Sequence, residues 1–354
     1  MRAKTINHIN RPIDLNRFFD GIKMLELLVF LLISILVVFV SALLYVNSIE
    51  FLGYRFNVGH SFVGAILSPL FTSLPELVVL LIAIFSLGGA DGAAVAVGTI
   101  FGEPFIASSV SYGLVGVLAL LGLFLKRRTH SYLEVSQTLA IPFIFVTILL
   151  PIALVPSLFH SFQVRILLGL LFLSAYLAYV VLMYGQRTIE VASEAENPYF
   201  CRIISNKEIA SFVQLAVSVI VLYLGASQLV SIVNQISISL GASLIGLSII
   251  IIPAATAIPE TASALIWCFR GKDTLSIGSL VGEKVLYSTL YIAIGLFLTT
   301  WVLDVHAYLS VLATTVVSLI MLYFISKKKI PWYGLTFGLV FFVAYVAVTF
   351  MMHT

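Results

Sequence analysis

Charge is what this 354-residue sequence has least of. Asp, Glu, Lys and Arg make up 10% of it against 61% hydrophobic residues, and the mean hydropathy is +1.13. Soluble domains carry about 25% charged residues. A chain this apolar cannot cover its surface with polar groups, so a water-soluble globule is excluded and lipid is its solvent. Cysteine is nearly missing: Cys201 and Cys268 stand alone, without metal-ligand spacing, and read as inert. There is no H-E-x-x-H, no phosphate-binding loop and no nucleophile–base pair, which argues against an intramembrane enzyme and against a cofactor. No apolar stretch precedes residue 24, so no cleaved signal peptide is expected. The six histidines (8, 60, 130, 160, 306 and 353) fall in tails or near span ends and read as interfacial.

What is abundant is long apolar stretches. A membrane span needs about 20 mostly apolar residues, and ten can be placed: 24–47, 57–86, 92–124, 132–156, 162–185, 208–234, 239–268, 274–302, 307–326 and 331–352. Their length and lack of alternation predict an all-α polytopic membrane protein and not a β-barrel. The second, third and seventh are long, which implies tilt or a break. Basic residues sort by side. Arg55, Lys126, Arg127, Arg128, Arg187, Arg202, Lys207, Arg270, Lys272, Lys327, Lys328 and Lys329 collect on one face; Arg165, Arg2, Lys4, Arg11, Arg17 and Lys23 collect on the other. The richer face is expected in the cytoplasm, with both termini outside, most simply in a plasma membrane. The basic N-terminal tail is the counterweight.

One unit occurs twice. Pro69-x-x-Thr72-x-x-Pro75-Glu76 matches Pro253-x-x-Thr256-x-x-Pro259-Glu260, and Gly98-x-x-x-Gly102-Glu103 matches Gly278-x-x-x-Gly282-Glu283. The copies begin in the second and seventh spans. Five spans per half forces them into opposite orientations, and inverted repeats with breaks in matching helices point to a transporter site near the bilayer midplane. The expected organisation is a tail (1–23), a five-helix repeat (24–186), a cytoplasmic linker (187–206) and a second five-helix repeat (207–354). The second and seventh helices are expected to be broken.

The repeated residues suit a hard cation. Pro75 and Pro259 strip the carbonyls of Phe71 and Ala255 of their helical donors, and Pro69 and Pro253 do the same to Ala65 and Ile249. Free carbonyls in hydrocarbon cost several kcal/mol and must face protein, water or an ion. Thr72 shares a helical face with Glu76, and Thr256 with Glu260; Ser73 adds a hydroxyl where the second copy has Ala257. Carboxylate, carbonyl and hydroxyl oxygens are what hard cations take, and the soft N/S set of Zn²⁺ or Cu⁺ is absent. Each G-x-x-x-G step allows close helix approach, which would bring Glu103 and Glu283 to the same place. The bland alternatives are plain proline kinks, ordinary glycine packing, and Ser68, Ser73 and Ser248 bonding back to their own helices. Four intramembrane glutamates in duplicated contexts favour a site. The partners implied are small inorganic cations and the lipid bilayer, with no nucleic acid.

At these residues the chain resembles the calcium:cation antiporter superfamily, whose best-known branch is the sodium/calcium exchangers. That family carries G-T-S-L-P-E followed by G-N-x-x-G-S-N-x-x-N/D in each of two inverted halves. Thr72-Ser73-Leu74-Pro75-Glu76 reproduces the first motif with Phe71 in the glycine place; Thr256-Ala257-Ile258-Pro259-Glu260 follows it more loosely. The resemblance implies Glu76 and Glu260 as central Ca²⁺ carboxylates, with Thr72 and Thr256 offering oxygens. The second motif departs: Glu103 and Glu283 stand in the serine places, and Pro104 and Lys284 in the asparagine places that follow.

Both departures are the same change, Ser to Glu, and they alter the charge balance. Four ionised glutamates and Lys284⁺ sum to −3, against +2 for one Ca²⁺. Unpaired charge at low dielectric costs several kcal/mol per ion, and proton uptake relieves it. The expected exchange is therefore Ca²⁺, or a related divalent cation, for H⁺ and/or Na⁺, with Glu103 and Glu283 as the titrating pair. Lys284 either tunes this charge, pairs permanently with Glu283, or snorkels to the cytoplasmic interface. The rivals are a channel-like pathway and a cation-binding protein that does not transport.

Overall fold

The computed structural model describes residues 15–55, 73–159, 161–184 and 196–351. Helix α1 runs Leu15–Arg55 as one rod, so it starts inside the segment expected as a tail. The second expected span is described only as α2, Leu74–Ile82, closed by a π turn at Ala83–Leu87; its first half, and any break there, lies outside the described residues. Gly88 then turns the chain with φ +67°, a conformation glycine adopts without strain.

The third span is α3 (Gly89–Ile106) and α4 (Tyr112–Phe124), joined by a π turn at Ala107–Ser111. Next come strand β1 (Tyr132–Glu134), α5 (Ala140–Ile152), the short α6 (Val155–Phe159) and α7 (Phe162–Tyr184). In the second half α8 covers Lys207–Leu240. Asn206 caps its start by accepting from the amides of Glu208 and Ile209, and left-handed Gly241 ends it. The seventh span is α9 (Leu244–Thr256) and α10 (Ile258–Phe269), bent by 58°. The eighth is α11 (Asp273–Leu286), a π turn at Tyr287–Tyr291, and α12 (Ile292–Leu298). The chain then forms α13 (Val305–Ser326), β2 (Lys329–Pro331), α14 (Trp332–Thr336) and α15 (Gly338–Met351).

Among the described residues, eight helices are long and apolar enough to cross a membrane, nine counting the bent pair. With the partly described second span they occupy the ten expected places. Contacts repeat across the halves. The first span of each half lies along the other, α1 on α8; the fourth spans meet as α5 on α13; the tenth packs on α4 as the fifth packs on α12. The third and eighth spans are the most enclosed, 61% and 78% buried, against 22% for the first and 11% for the fifth. The spans carrying Glu103 and Glu283 are thus central, ringed by helices that face lipid.

Lipid tails give no hydrophobic push between helices, so small residues set the packing. A Cβ at Gly98 would fall 2.3 Å from Ser248 Cβ, and one at Gly102 would fall 2.6 Å from Pro253 Cγ and 2.8 Å from the Ile249 carbonyl. The expected glycine step therefore brings α3 against α9 in the first copy. In the second, a Cβ at Gly278 would meet Leu139 at an ordinary 3.5 Å and one at Gly282 would meet nothing within 4 Å, so the step there is open and makes no close approach. At the membrane edge β1 and β2 pair antiparallel, Leu133 opposite Ile330, joining the loops that leave the third and ninth spans.

Candidate functional site

The break in the seventh span follows from its prolines. Pro253 and Pro259 cannot donate to the carbonyls a turn earlier, and the helix ends at Thr256, whose hydroxyl bonds back to the Ile252 carbonyl at 3.3 Å. Ala257 is the hinge, and Glu260 falls in the first turn of α10. The same grammar recurs at Ser73, which precedes Pro75 and Glu76 in the first turn of α2. Both carboxylates thus sit at helix N-termini, where backbone dipoles favour negative charge.

Glu76, Glu103 and Glu283 are buried, at 3%, 3% and 6% exposure, and Glu260 is partly buried. Glu76 lies in the field of Glu260 and Glu103, Glu103 in that of Glu260, and Glu283 in that of all three. The four carboxylates therefore share one region. One carboxylate oxygen each of Glu76, Glu103 and Glu260 has no hydrogen-bond partner among the described residues. Their spacing is wider than a closed coordination shell: among the described residues, no three His, Cys, Asp or Glu side chains are set closely enough to hold a metal ion. Thr72 lies outside the described residues. Ser73 takes part in a junction described below, and Thr256 bonds to its own helix.

Lys284 corrects two expectations. It is fully buried, so it does not snorkel, and no ion pair with Glu283 is present among the described residues. Its ammonium turns the other way. It donates to the Ser318 hydroxyl at 3.0 Å and lies 5.1 and 5.3 Å from the ring centres of Tyr112 and Phe143. These contacts offset part of the cost of its burial.

Several residues at the site escaped the sequence reading. The π turns of the third and eighth spans each begin four residues after the glutamate, at Ala107 and Tyr287. Such bulges inside helices often mark functional sites. One residue further, Ser108 and Ser288 are buried with hydroxyls unpartnered among the described residues. Ser109 and Thr289 follow, each bonding to the carbonyl four residues back at 2.6 Å. Eight residues after each glutamate the chain reaches the other repeat. Ser111 meets Thr261 of α10 at 2.7 Å, and Tyr291 donates to the Ser73 carbonyl at 2.6 Å and lies 3.2 Å from its hydroxyl. Extending the G-x-x-x-G-E match by six residues would have found the S-[ST] pair. Tyr287 stacks on Tyr291 with ring centres 4.3 Å apart. Glu50 of α1 adds its field to Glu260.

A model of the sodium/calcium exchanger protein family matches residues 26–185 and 210–353. The chain belongs to the sodium/calcium exchanger family. It is therefore an integral membrane cation exchanger by kinship and not an enzyme. No match was found among curated proteins. Among solved structures, an H⁺/Ca²⁺ exchanger CAX aligns with TM-score 0.71 and 19% identity over 92% of this chain and 86% of that one. YfkE aligns at 0.65 and 16%, over 94% and 96%. The sodium-calcium exchanger NCX_Mj, soaked with Na⁺ and Sr²⁺, aligns at 0.57 and 17%, over 91% and 98%. At these identities the likeness is one of fold, and it extends over the whole exchanger architecture of two inverted halves.

Proposed function

We propose that this exchanger moves Ca²⁺, or a closely related divalent cation, against protons by alternating access at Glu76, Glu103, Glu260 and Glu283, with Na⁺ as the alternative counter-ion. The observation that carries the reading is the pair of glutamates in the two serine places of the family motif, both buried and both in the field of Glu260. Binding a divalent ion would draw the carboxylates together from their present spacing, with Thr72, Thr256 and Ser73 supplying further oxygens. Its departure leaves up to four negative charges in a low-dielectric region, and proton uptake is the inexpensive remedy. One fold neighbour is an H⁺/Ca²⁺ exchanger, in keeping with this coupling.

The test is purified protein in liposomes with divalent ion, Na⁺ and pH gradients varied independently. Uphill Ca²⁺ uptake driven by ΔpH alone is expected. Uptake that follows a Na⁺ gradient at constant pH and ignores ΔpH refutes proton coupling. The change Glu103→Ser with Glu283→Ser should flatten the pH dependence. A second reading, a cation-binding protein that does not transport, is separated by Glu76→Gln with Glu260→Gln, assayed for both binding and flux. We further place the 187–206 linker in the cytoplasm of a plasma-membrane protein with both termini outside. Labelling of Cys201, in that linker, only by reagent on the cytoplasmic side is the expected result.

A further inference from the structure

The bent seventh span is tied at both of its ends, on opposite faces of the membrane, by side chains outside the carboxylate site. On the linker side, Arg128 from the loop after α4 grips the C-terminal end of α10. Its Nη1 donates to the Cys268 carbonyl at 2.8 Å and to Asp273 Oδ1 at 2.9 Å, and its Nη2 donates to Asp273 Oδ2 at 2.6 Å. Asp273, in the first turn of α11, also accepts from the Glu134 amide of β1 at 2.9 Å. The pair is mostly enclosed, with side chains 12% and 8% exposed. On the opposite side, Ser243 caps α9 by accepting from the Gly246 amide at 2.9 Å and donates its hydroxyl to Asp304. Asp304 caps α13 through the amides of His306 and Ala307, and the His306 imidazole meets its other oxygen at 3.0 Å.

Between these two ties lies the hinge at Ala257, next to Glu260. A rigid half-helix on each side of a proline-weakened joint can pivot only if its far end lets go. We propose that Arg128–Asp273 and Ser243–Asp304–His306 are two latches on the seventh span, and that each opens in one of the two access states while the other holds. Arg128, Asp273, Ser243 and Asp304 are then positioning residues: they act on Glu260 through the helix that carries it. This rests on the alternating-access reading above.

The chain contains its own reporter. Cys268 is fully buried beneath Arg128, with its sulfur 3.7 Å from Nη1. In a Cys201→Ser background, a membrane-impermeant maleimide applied from the linker side reads the opening of that latch. Removing one partner of a buried ion pair is strongly destabilising, so Arg128→Ala or Asp273→Asn should speed Cys268 labelling at least about tenfold. Ser243→Ala or Asp304→Asn should slow it about fivefold, because a released outer end shifts the population towards the state in which the linker-side latch is shut. Residues that merely stabilise the fold would give the same sign in all four variants. Faster labelling in the Ser243 and Asp304 variants, or no change in either group, overturns the proposal. The charge-swapped Arg128→Asp with Asp273→Arg protein should return towards the parental rate, which separates lost latching from lost folding. Labelling involves no flux, so it stands or falls apart from the identity of the transported ions.

Discussion

Replacing Gly98 with alanine tests the packing on which the site depends. The new Cβ would lie 2.3 Å from Ser248 Cβ, 3.1 Å from the Ile245 carbonyl oxygen and 3.3 Å from the Ile249 nitrogen. Carbon pairs settle at about 3.5–4.0 Å, so the overlap with Ser248 exceeds about 1 Å. The Ser248 Cβ is the root of its side chain and cannot rotate away; α3 and α9 must part. Overpacking of this kind costs about 1–3 kcal/mol, a drop of several degrees in Tm at about 2–4 °C per kcal/mol. Glu103 lies five residues further along α3 and is carried off with it, and misplacement by about 1 Å is enough to lower turnover on the order of a hundredfold. Ser248→Gly removes the offending carbon. Alanine gains and glycine loses about 1 kcal/mol of helix propensity, so the two changes nearly cancel. Gly98→Ala with Ser248→Gly should therefore regain most of the melting temperature in detergent and most of the Ca²⁺ uptake in liposomes. A Gly98→Ala protein that melts and transports like the wild type, or a second change that restores nothing, refutes the close approach of these helices.

Lys284→Met should be folded and at least as stable as the wild type. It exchanges a buried ammonium, without a carboxylate partner among the described residues, for an apolar chain of similar volume; a clear fall in melting temperature would show that the ammonium has a partner that matters. Tyr291→Phe removes the bond to the Ser73 carbonyl and should cost about 0.5–1.5 kcal/mol, read as a lower midpoint in thermal denaturation. Burial works against the Asp304 carboxylate, but hydrogen bonds from His306, Ser243 and the Ala307 amide outweigh it and hold Asp304 below the usual carboxylate range. A depressed carboxylate contributes stability that is present above its unfolded pKa and lost as pH falls through the folded one. Asp304→Asn should therefore melt below the wild type at neutral pH, and the gap should close on acidification below about pH 4; a gap that widens in acid contradicts this sign.

The spans were legible because lipid demands a nearly unbroken apolar stretch of fixed length, a signal that survives without knowledge of neighbours. The break in the seventh span was equally legible, since Pro253 and Pro259 remove specific donors wherever the helix packs. So was the approach of Gly98 and Gly102, although their partner, α9, could not be named from the motif alone. The surroundings of Lys284 could not be read, because Tyr112, Phe143 and Ser318 come from three other helices. A lysine next to a glutamate suggests an ion pair, yet adjacent helical residues do not face each other. The two latches were hidden for a related reason: Arg128, Ser243 and Asp304 sit in loops, where no periodicity announces a partner.

An inverted repeat places the same junction in the molecule twice, so a difference between the two copies records how far the halves depart from symmetry. Eight residues after each G-x-x-x-G-E glutamate, one copy places Ser111 against Thr261 and the other places Tyr291 against Ser73. A serine hydroxyl reaches a threonine hydroxyl only when the two backbones are close; a tyrosine reaches a backbone carbonyl across the length of its ring. The π turn of the third span therefore lies nearer to α10 than the π turn of the eighth lies to α2. Two further features follow the same division. Tyr287 stacks on Tyr291, whereas the first copy has Ala107 and Ser111 in the matching places. Lys284 occupies the place of Pro104 and makes its contacts away from the carboxylates. The halves share a plan, but α2 and α10 stand at unequal distances from the π turns that face them, and the side chains that bridge those distances, Ser111 to Thr261 and Tyr291 to Ser73, are ones in which the two copies differ.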